Sequence, residues 1–259
     1  MNYTSTGQGP AVILIHGLFG NLDNLKNLSN SLESHYQVIR IDVPNHGMSP
    51  HWPTMNYPAL AKAMIELMDE LSIEKAHLVG HSMGGKIAMA TALSYPDRIA
   101  SLIAADIAPV SYQNRHSDVF DALQNVELSQ LESRAQALSS LTASGIDAGT
   151  AQFLLKNLTR DETGFKWKMN LTGLLDCYPD MIAWYNDATP TKERYTGPSL
   201  FIRGGDSDYV TASHRAAIMA QFPNVQAKTI EGAGHWLHAQ KPVIFNRIVS
   251  EFIQKNESK

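Results

Sequence analysis

The chain has one cysteine, Cys177, in 259 residues. No internal disulfide can form, and this usage fits a reducing compartment. No apolar run approaches the roughly 20 residues that a membrane span requires. Residues 1–10 carry neither a positively charged segment nor a long apolar one, so no secretory signal is read there. The expectation is a cytoplasmic protein without stable membrane insertion. Neither sign of charge is in excess: 21 Lys and Arg stand against 25 Asp and Glu, a net −4. A nucleic-acid footprint would need a clustered basic surplus, so no nucleic-acid partner is expected. Also missing are a His-Glu-x-x-His spacing, a Gly-x-Gly-x-x-Gly fingerprint and a Walker-type phosphate loop, so neither metal nor cofactor is expected. Repeats and low-complexity tracts are absent as well.

Apolar residues make up 44% of the chain, enough for a sizeable core. Six short runs read as buried strands: Ala11 to Ile15, Gln37 to Asp42, Ala76 to Gly80, Ile99 to Asp106, Ser199 to Arg203 and Val225 to Ile230. Helical patterns fall between them over Leu22 to Glu33, Tyr57 to Leu71, Met83 to Ser94, Ala212 to Gln221 and Pro242 to Ile253. Strands apolar on both faces, alternating with helices, predict a mostly parallel sheet flanked by helices. From about Val110 to Arg194 the rhythm breaks, and no strand is read. Between Ser111 and Tyr195 lie 8 Lys and Arg and 11 Asp and Glu, with Phe120, Trp167, Tyr178, Trp184 and Tyr185 interspersed. The expected organisation is a core of residues 1–109 and 195–259, with 110–194 inserted as a helical cap. Two ordinary crossover helices with long loops are the plainer alternative.

Gly80-His81-Ser82-Met83-Gly84 lies between a strand-like run and a helix-like run. A Gly-x-Ser-x-Gly pentad in that setting reads as a nucleophile elbow: the tight turn admits only small flanking residues and presents the serine beside the first helical N–H groups. Alone, the pentad is within reach of chance. A serine hydroxyl needs a base, and His235, in a glycine-flanked loop after the last predicted strand, is the candidate. Its rival is His238. The imidazole in turn needs an acceptor. Asp106 ends the fourth predicted strand, and Asp208 lies in the loop after the fifth. Either could instead be a helix cap, a turn residue or a solvated charge. His16, Asp42, Ser82, Asp106 and the loop from Gly204 all fall at carboxyl ends of strands, where ligands bind in open parallel sheets.

His16-Gly17, Asp42 with His46-Gly47-x-Ser49, the 80–85 stretch and Gly232-x-Gly-His235-Trp236 together resemble the α/β-hydrolase superfamily, in order and over nearly the whole chain. More narrowly, residues 16–20, 44–49 and 106–110 resemble the YbfF-like group of small bacterial esterases. That resemblance implies the α/β-hydrolase fold and the triad Ser82, His235 and Asp106. Asp208 remains the alternative acid. The usual acid position of the superfamily falls on Ser207, which departs from the common pattern. The resemblance also implies oxyanion donors at the N–H groups of Leu18 and Met83, with Gly17, Gly80 and Gly84 as the elbow and loop glycines. Asp42 and the His46 segment are expected to shape a turn, His81 to pack locally, and Cys177 to be a buried small residue.

The expected activity is hydrolysis of carboxylic esters with short to medium acyl chains, or of acyl-coenzyme A thioesters, through an acyl-enzyme on Ser82. The partner is then a small-molecule ester or thioester. A serine nucleophile leaves C–C bond hydrolysis, perhydrolysis and lyase chemistry open on the same triad. A non-catalytic binding protein on this fold is the alternative of another class. Oligomeric state is not legible.

Overall fold

A computed structural model describes residues 1–184 and 193–257. The elements run β1 (Tyr3–Thr6), β2 (Ala11–Ile15), α1 (Lys26–Leu32), β3 (Gln37–Ile41), α2 (Tyr57–Glu70), β4 (Ala76–His81), α3 (Met83–Ser94) and β5 (Ile99–Ala105). After these come α4 (Ser117–Gln124), α5 (Arg134–Ala143), α6 (Ala148–Leu155), β6 (Leu158–Asp161), β7 (Gly164–Trp167) and α7 (Leu171–Ile182). The chain then returns through β8 (Ser199–Gly204), α8 (Arg215–Gln221), β9 (Val225–Ile230), α9 (Leu237–Gln240) and α10 (Pro242–Glu257).

Seven strands form one sheet in the order β1-β3-β2-β4-β5-β8-β9. All neighbours are parallel except β1, which pairs antiparallel with β3. Alternation along the strands feeds two apolar layers. Ile13, Ile15, Ile39 and Leu78 face a layer containing α2 and α3 residues such as Met64, Met68 and Ile87. Val12, Leu14, Val38 and Val79 face the other, with Leu28 and Leu32 of α1 and Phe245 and Val249 of α10. Burial on both faces is why these strands read as near-continuous apolar runs.

The six expected strands are present, and β1 is a seventh. Its sequence, Tyr-Thr-Ser-Thr, is polar and partly exposed because it forms a sheet edge. Residues 110–194 also depart from the purely helical expectation, since β6 and β7 form a two-stranded hairpin. Only Leu158 of β6 is buried, and Asp161 Oδ1 accepts from the backbone N–H and the hydroxyl of Thr163 to make the turn. Strands this short, with at most one buried residue each, leave no buried apolar run. Helix α1 starts at Lys26 rather than Leu22, because side chains compete for the backbone there. Asn24 Oδ1 accepts Asn21 N–H at 2.5 Å, and Asn21 Oδ1 accepts Asp23 N–H at 3.0 Å. Tyr185, expected in the inserted segment, lies outside the described residues.

The segment between β5 and β8 packs on the loops at the carboxyl edge of the sheet. The Phe120 and Phe19 rings meet edge to face at 4.9 Å, and Asn157 Nδ2 donates to Phe19 O at 2.6 Å. Tyr57 of α2 donates its hydroxyl to Met181 O at 2.6 Å. Lys86 of α3 is 1% exposed, and its Nζ donates to Ile182 O and Ala183 O, both at 2.9 Å. The Tyr57, Tyr112 and Trp184 rings surround that ammonium at 5.6, 5.0 and 5.9 Å. Carbonyls at a helix C-terminus and aromatic faces both favour a cation.

Candidate active site

Ser82 is the single residue between β4 and α3, with φ 54° and ψ −121°. Its N–H donates to Ala105 O at 2.9 Å, which ties the turn to β5. The turn closes only because its flanking positions carry no side chain. A Cβ on Gly80 would stand 2.1 Å from Gly84 O, and one on Gly84 would stand 2.3 Å from Ile15 O. Gly17 abuts the turn: a Cβ there would be 3.2 Å from Ser82 Cβ.

His235 lies in the loop between β9 and α9. Its Nε2 is 3.0 Å from Ser82 Oγ, and its Nδ1 is 2.8 Å from Asp106 Oδ2. Asp106 follows β5 directly in a left-handed backbone conformation, φ 51°, and is fully buried. Its N–H donates to Ile202 O at 2.7 Å, which fastens it to β8. Its Oδ1 accepts Gly204 N–H at 3.0 Å, and its Oδ2 also accepts the Ser207 hydroxyl. These two donors orient the carboxylate so that Oδ2 also faces the imidazole Nδ1–H. With Nδ1 donating to Asp106, Nε2 presents its lone pair to the Ser82 hydroxyl.

The rival groups stand elsewhere. Asp208 has an exposed side chain paired with both guanidinium nitrogens of Arg115, at 2.8 and 2.9 Å. That guanidinium holds the Asp208 carboxyl below its usual range. His238 is buried beside the His81 ring at 4.4 Å. His81 donates its Nε2–H to His235 O at 2.8 Å, which steadies the loop that carries His235. Cys177 is buried on α7.

Leu18 and Met83 both line a cavity that opens at Ser82. Among the described residues, neither N–H has a protein acceptor. The Leu18 loop is held from behind. Phe19, at φ 60°, donates its N–H to His46 Nε2 at 3.2 Å, and His46 Nδ1 donates to Pro44 O at 3.0 Å. His16 Nδ1 donates to Gly17 O at 2.7 Å while its Nε2 accepts Val43 N–H at 3.0 Å. Both imidazoles must stay neutral to accept. Burial does this, pushing His16 down to about 4 and His46 down to about 3. Asp42 accepts Leu22 N–H at 2.8 Å, Met48 N–H at 2.9 Å and Asn2 Nδ2–H at 2.7 Å. The His-Gly and His46 motifs therefore build the loop that carries Leu18.

Four further residues complete the surroundings: Tyr209, Arg115, His116 and Tyr178. Tyr209 stacks on the His235 ring at 3.7 Å and 16°, and Arg115 covers the other face of Tyr209 at 4.6 Å. None of the four sits in a recognisable local pattern. They meet only because the inserted segment folds back over the 205–210 loop. Two small cavities open from Ser82 and Leu18, each about 40 Å³. One is walled by Met83, Ile107, Met181, Ile182 and Tyr209. The other is walled by His235, Val119, Phe153, Leu154 and Trp236. His116 borders both. A larger crevice of about 750 Å³ lies at the amino edge of the sheet, bordered by Pro10, Lys75, Ile99 and Pro198, and touches none of these groups. Among the described residues, no helix is long and apolar enough to cross a membrane.

A tight serine turn at a strand end, an imidazole on the last loop and a mostly parallel sheet define a class. The chain belongs to the alpha/beta hydrolase fold family, whose profile matches residues 10–242. It is 41% identical to Esterase YbfF of Escherichia coli (strain K12) over 243 residues, which covers 93% of this chain and 92% of that one. It is 37% identical to the sn-1-specific diacylglycerol lipase ABHD11 of Mus musculus over 256 residues, covering 94% and 81%. The solved structure of a marine microorganism esterase superposes with a TM-score of 0.93 at 34% identity, covering 97% and 98%.

Proposed function

We propose that this carboxylic ester hydrolase works through an acyl-enzyme on Ser82, with His235 as base and Asp106 as the triad acid. The observation that carries the reading is the unbroken line from Ser82 Oγ through His235 to Asp106, with contacts of 3.0 and 2.8 Å.

Ser82 Oγ attacks the acyl carbonyl carbon while His235 Nε2 takes its proton. The carbonyl oxygen becomes an oxyanion held by the Leu18 and Met83 N–H groups, each such donor being worth about 2.7–4 kcal/mol in the transition state. Collapse breaks the bond to the alcohol, which leaves with the proton from His235. Water then enters, gives its proton to the same nitrogen, and releases the acid and free Ser82.

The cavity walled by His235 receives the leaving group, because that group must take its proton from Nε2. The cavity along Met83, Ile107, Met181 and Ile182 then holds the acyl chain. Its small volume and apolar lining favour short to medium chains. Residues 110–194 act as the cap that closes both cavities over the core of residues 1–109 and 195–259. The single cysteine suits a cytoplasmic setting.

The test is labelling with a fluorophosphonate probe, followed by a panel of p-nitrophenyl esters, diacylglycerols and acyl-coenzyme A thioesters. Labelling and turnover should both vanish in Ser82→Ala. Unlabelled native protein would instead support a binding protein on this fold. The thioester arm decides whether coenzyme A derivatives belong among the substrates.

A further inference from the structure

We propose that His116 is a specificity-determining residue: a hydrogen-bond donor that selects acyl groups carrying a second acceptor oxygen close to the scissile carbonyl. This rests on the esterase reading above and adds a chemical class of substrate to it.

His116 is the residue before α4 and reaches over Ser82 from the inserted segment. Its ring is fixed on two sides, perpendicular to Tyr178 at 5.6 Å and edge-on to Phe19 at 6.0 Å. The position of its proton follows from its neighbours. Arg115 N–H donates to Tyr178 Oη at 3.1 Å, which occupies a lone pair there and turns the phenol proton toward the opposite side. Among the described residues, the acceptor it reaches is His116 Nδ1, at 2.8 Å. Nδ1 therefore accepts, and the neutral ring carries its hydrogen on Nε2. Burial, with His235 and Arg115 nearby, pushes His116 down to about 4, so the ring stays neutral at working pH.

The Nε2–H group lies toward Tyr209, which walls the acyl cavity and not the leaving-group cavity. Its nearest partner there is Tyr209 Oη at 3.5 Å, the outer limit of a hydrogen bond. Beside Met83, Ile107, Met181 and Ile182, the cavity is bordered by Lys86 and Arg115, which can only donate, and by Tyr112, Gln113 and Tyr178. An all-carbon acyl chain lying against this donor would leave it without a good acceptor. An alkoxy or oxo oxygen in the chain would supply one. A site built to hydrogen-bond discriminates against the isostere that lacks the partner, because its own polar group is then left unsatisfied.

The experiment compares p-nitrophenyl methoxyacetate with p-nitrophenyl butyrate, in which a methylene replaces the ether oxygen. Each kcat/KM is divided by the rate of alkaline hydrolysis, which removes intrinsic reactivity. In the wild type, this normalised ratio should favour the methoxyacetate. In His116→Phe, the ratio should fall about 5- to 10-fold, the loss of one neutral hydrogen bond. His116→Gln, which keeps a donor, should restore part of it. Tyr178→Phe keeps the imidazole but frees its proton to either nitrogen, so the ratio should fall about twofold. It covers the case in which His116→Phe does not fold. Equal losses on both esters, or a ratio that no variant moves, would overturn the proposal and leave the esterase reading standing. If the wild type hydrolyses neither ester above the Ser82→Ala background, the esterase reading itself falls, and this proposal with it.

Discussion

Ser207 and His235 converge on one atom: the Ser207 hydroxyl donates to Asp106 Oδ2, and His235 Nδ1 lies 2.8 Å from the same oxygen. The serine thus occupies the place where many relatives of this fold carry their acid, and it supports a carboxylate that arrives from another strand. Hydrogen bonds to a charged acceptor are worth about 1.5–3 kcal/mol. Ser207→Ala should lower kcat about tenfold with little change in KM, and Ser207→Thr should keep most of the activity. Steady-state kinetics on p-nitrophenyl butyrate decides, and a kcat for Ser207→Ala within twofold of wild type would count against the support role.

The two candidate acids should separate cleanly. Asp106→Asn leaves the shape intact but favours the wrong imidazole tautomer, and kcat should drop on the order of 10⁴-fold. Asp208→Asn breaks an exposed ion pair with Arg115, and such pairs contribute little. Its kcat should stay within about threefold of wild type. The reverse ranking in the same kinetic assay would reassign the acid.

Gly84→Ala and Gly80→Ala should not give a working elbow. The added methyl groups would press on backbone oxygens at 2.3 and 2.1 Å, and backbone cannot step aside as a side chain can. Overpacking of this kind costs about 1–3 kcal/mol or more. The melting temperature should fall by several degrees, and fluorophosphonate labelling should be lost. Circular dichroism melts and probe gels provide the readouts.

Acid should unfold the protein through its buried histidines. His16 and His116 are pushed down to about 4, and His46 and His238 down to about 3, all chiefly by burial. Between the ordinary imidazole value of about 6.5 and those lower values, the unfolded chain binds protons that the folded chain does not. Stability therefore falls as pH falls through that window, by at most about 1.4 kcal/mol per pH unit for each group. A melting series from pH 7.5 to 4.5 should show a nearly level region that steepens below about 6.5. A flat series would mean that these rings are charged or solvated in the folded protein.

Legibility in the sequence followed burial for most strands, although β9 is legible while mostly exposed. Strands β2, β3, β4, β5 and β8 are covered on both faces and read as apolar runs. Strands β1 and β6 are short and polar, and β7, Gly-Phe-Lys-Trp, is four residues with none buried, so none of the three shows a buried apolar run. The serine turn was visible because steric demand forces glycine at 80 and 84. Residue pattern alone left the acid open between Asp106 and Asp208, which both follow strands of similar appearance, and only the family resemblance favoured Asp106. What separates them is the pairing of β5 with β8, which brings Ala105 beside Ile202 and so sets the 204–207 backbone around Asp106. Arg115, His116, Tyr178 and Tyr209 were hidden for a related reason: their meeting depends on how the inserted segment folds back, which no local periodicity encodes.

Lys86 constrains how substrate reaches Ser82. Its ammonium sits four residues beyond the serine and is bound by the last carbonyls of α7, inside an aromatic box. Swinging α7 outward would break both of those hydrogen bonds to a buried cation. Helix α7 is thus a fixed jamb, whereas the Arg115–Asp208 ion pair just before α4 is exposed to water and costs little to break.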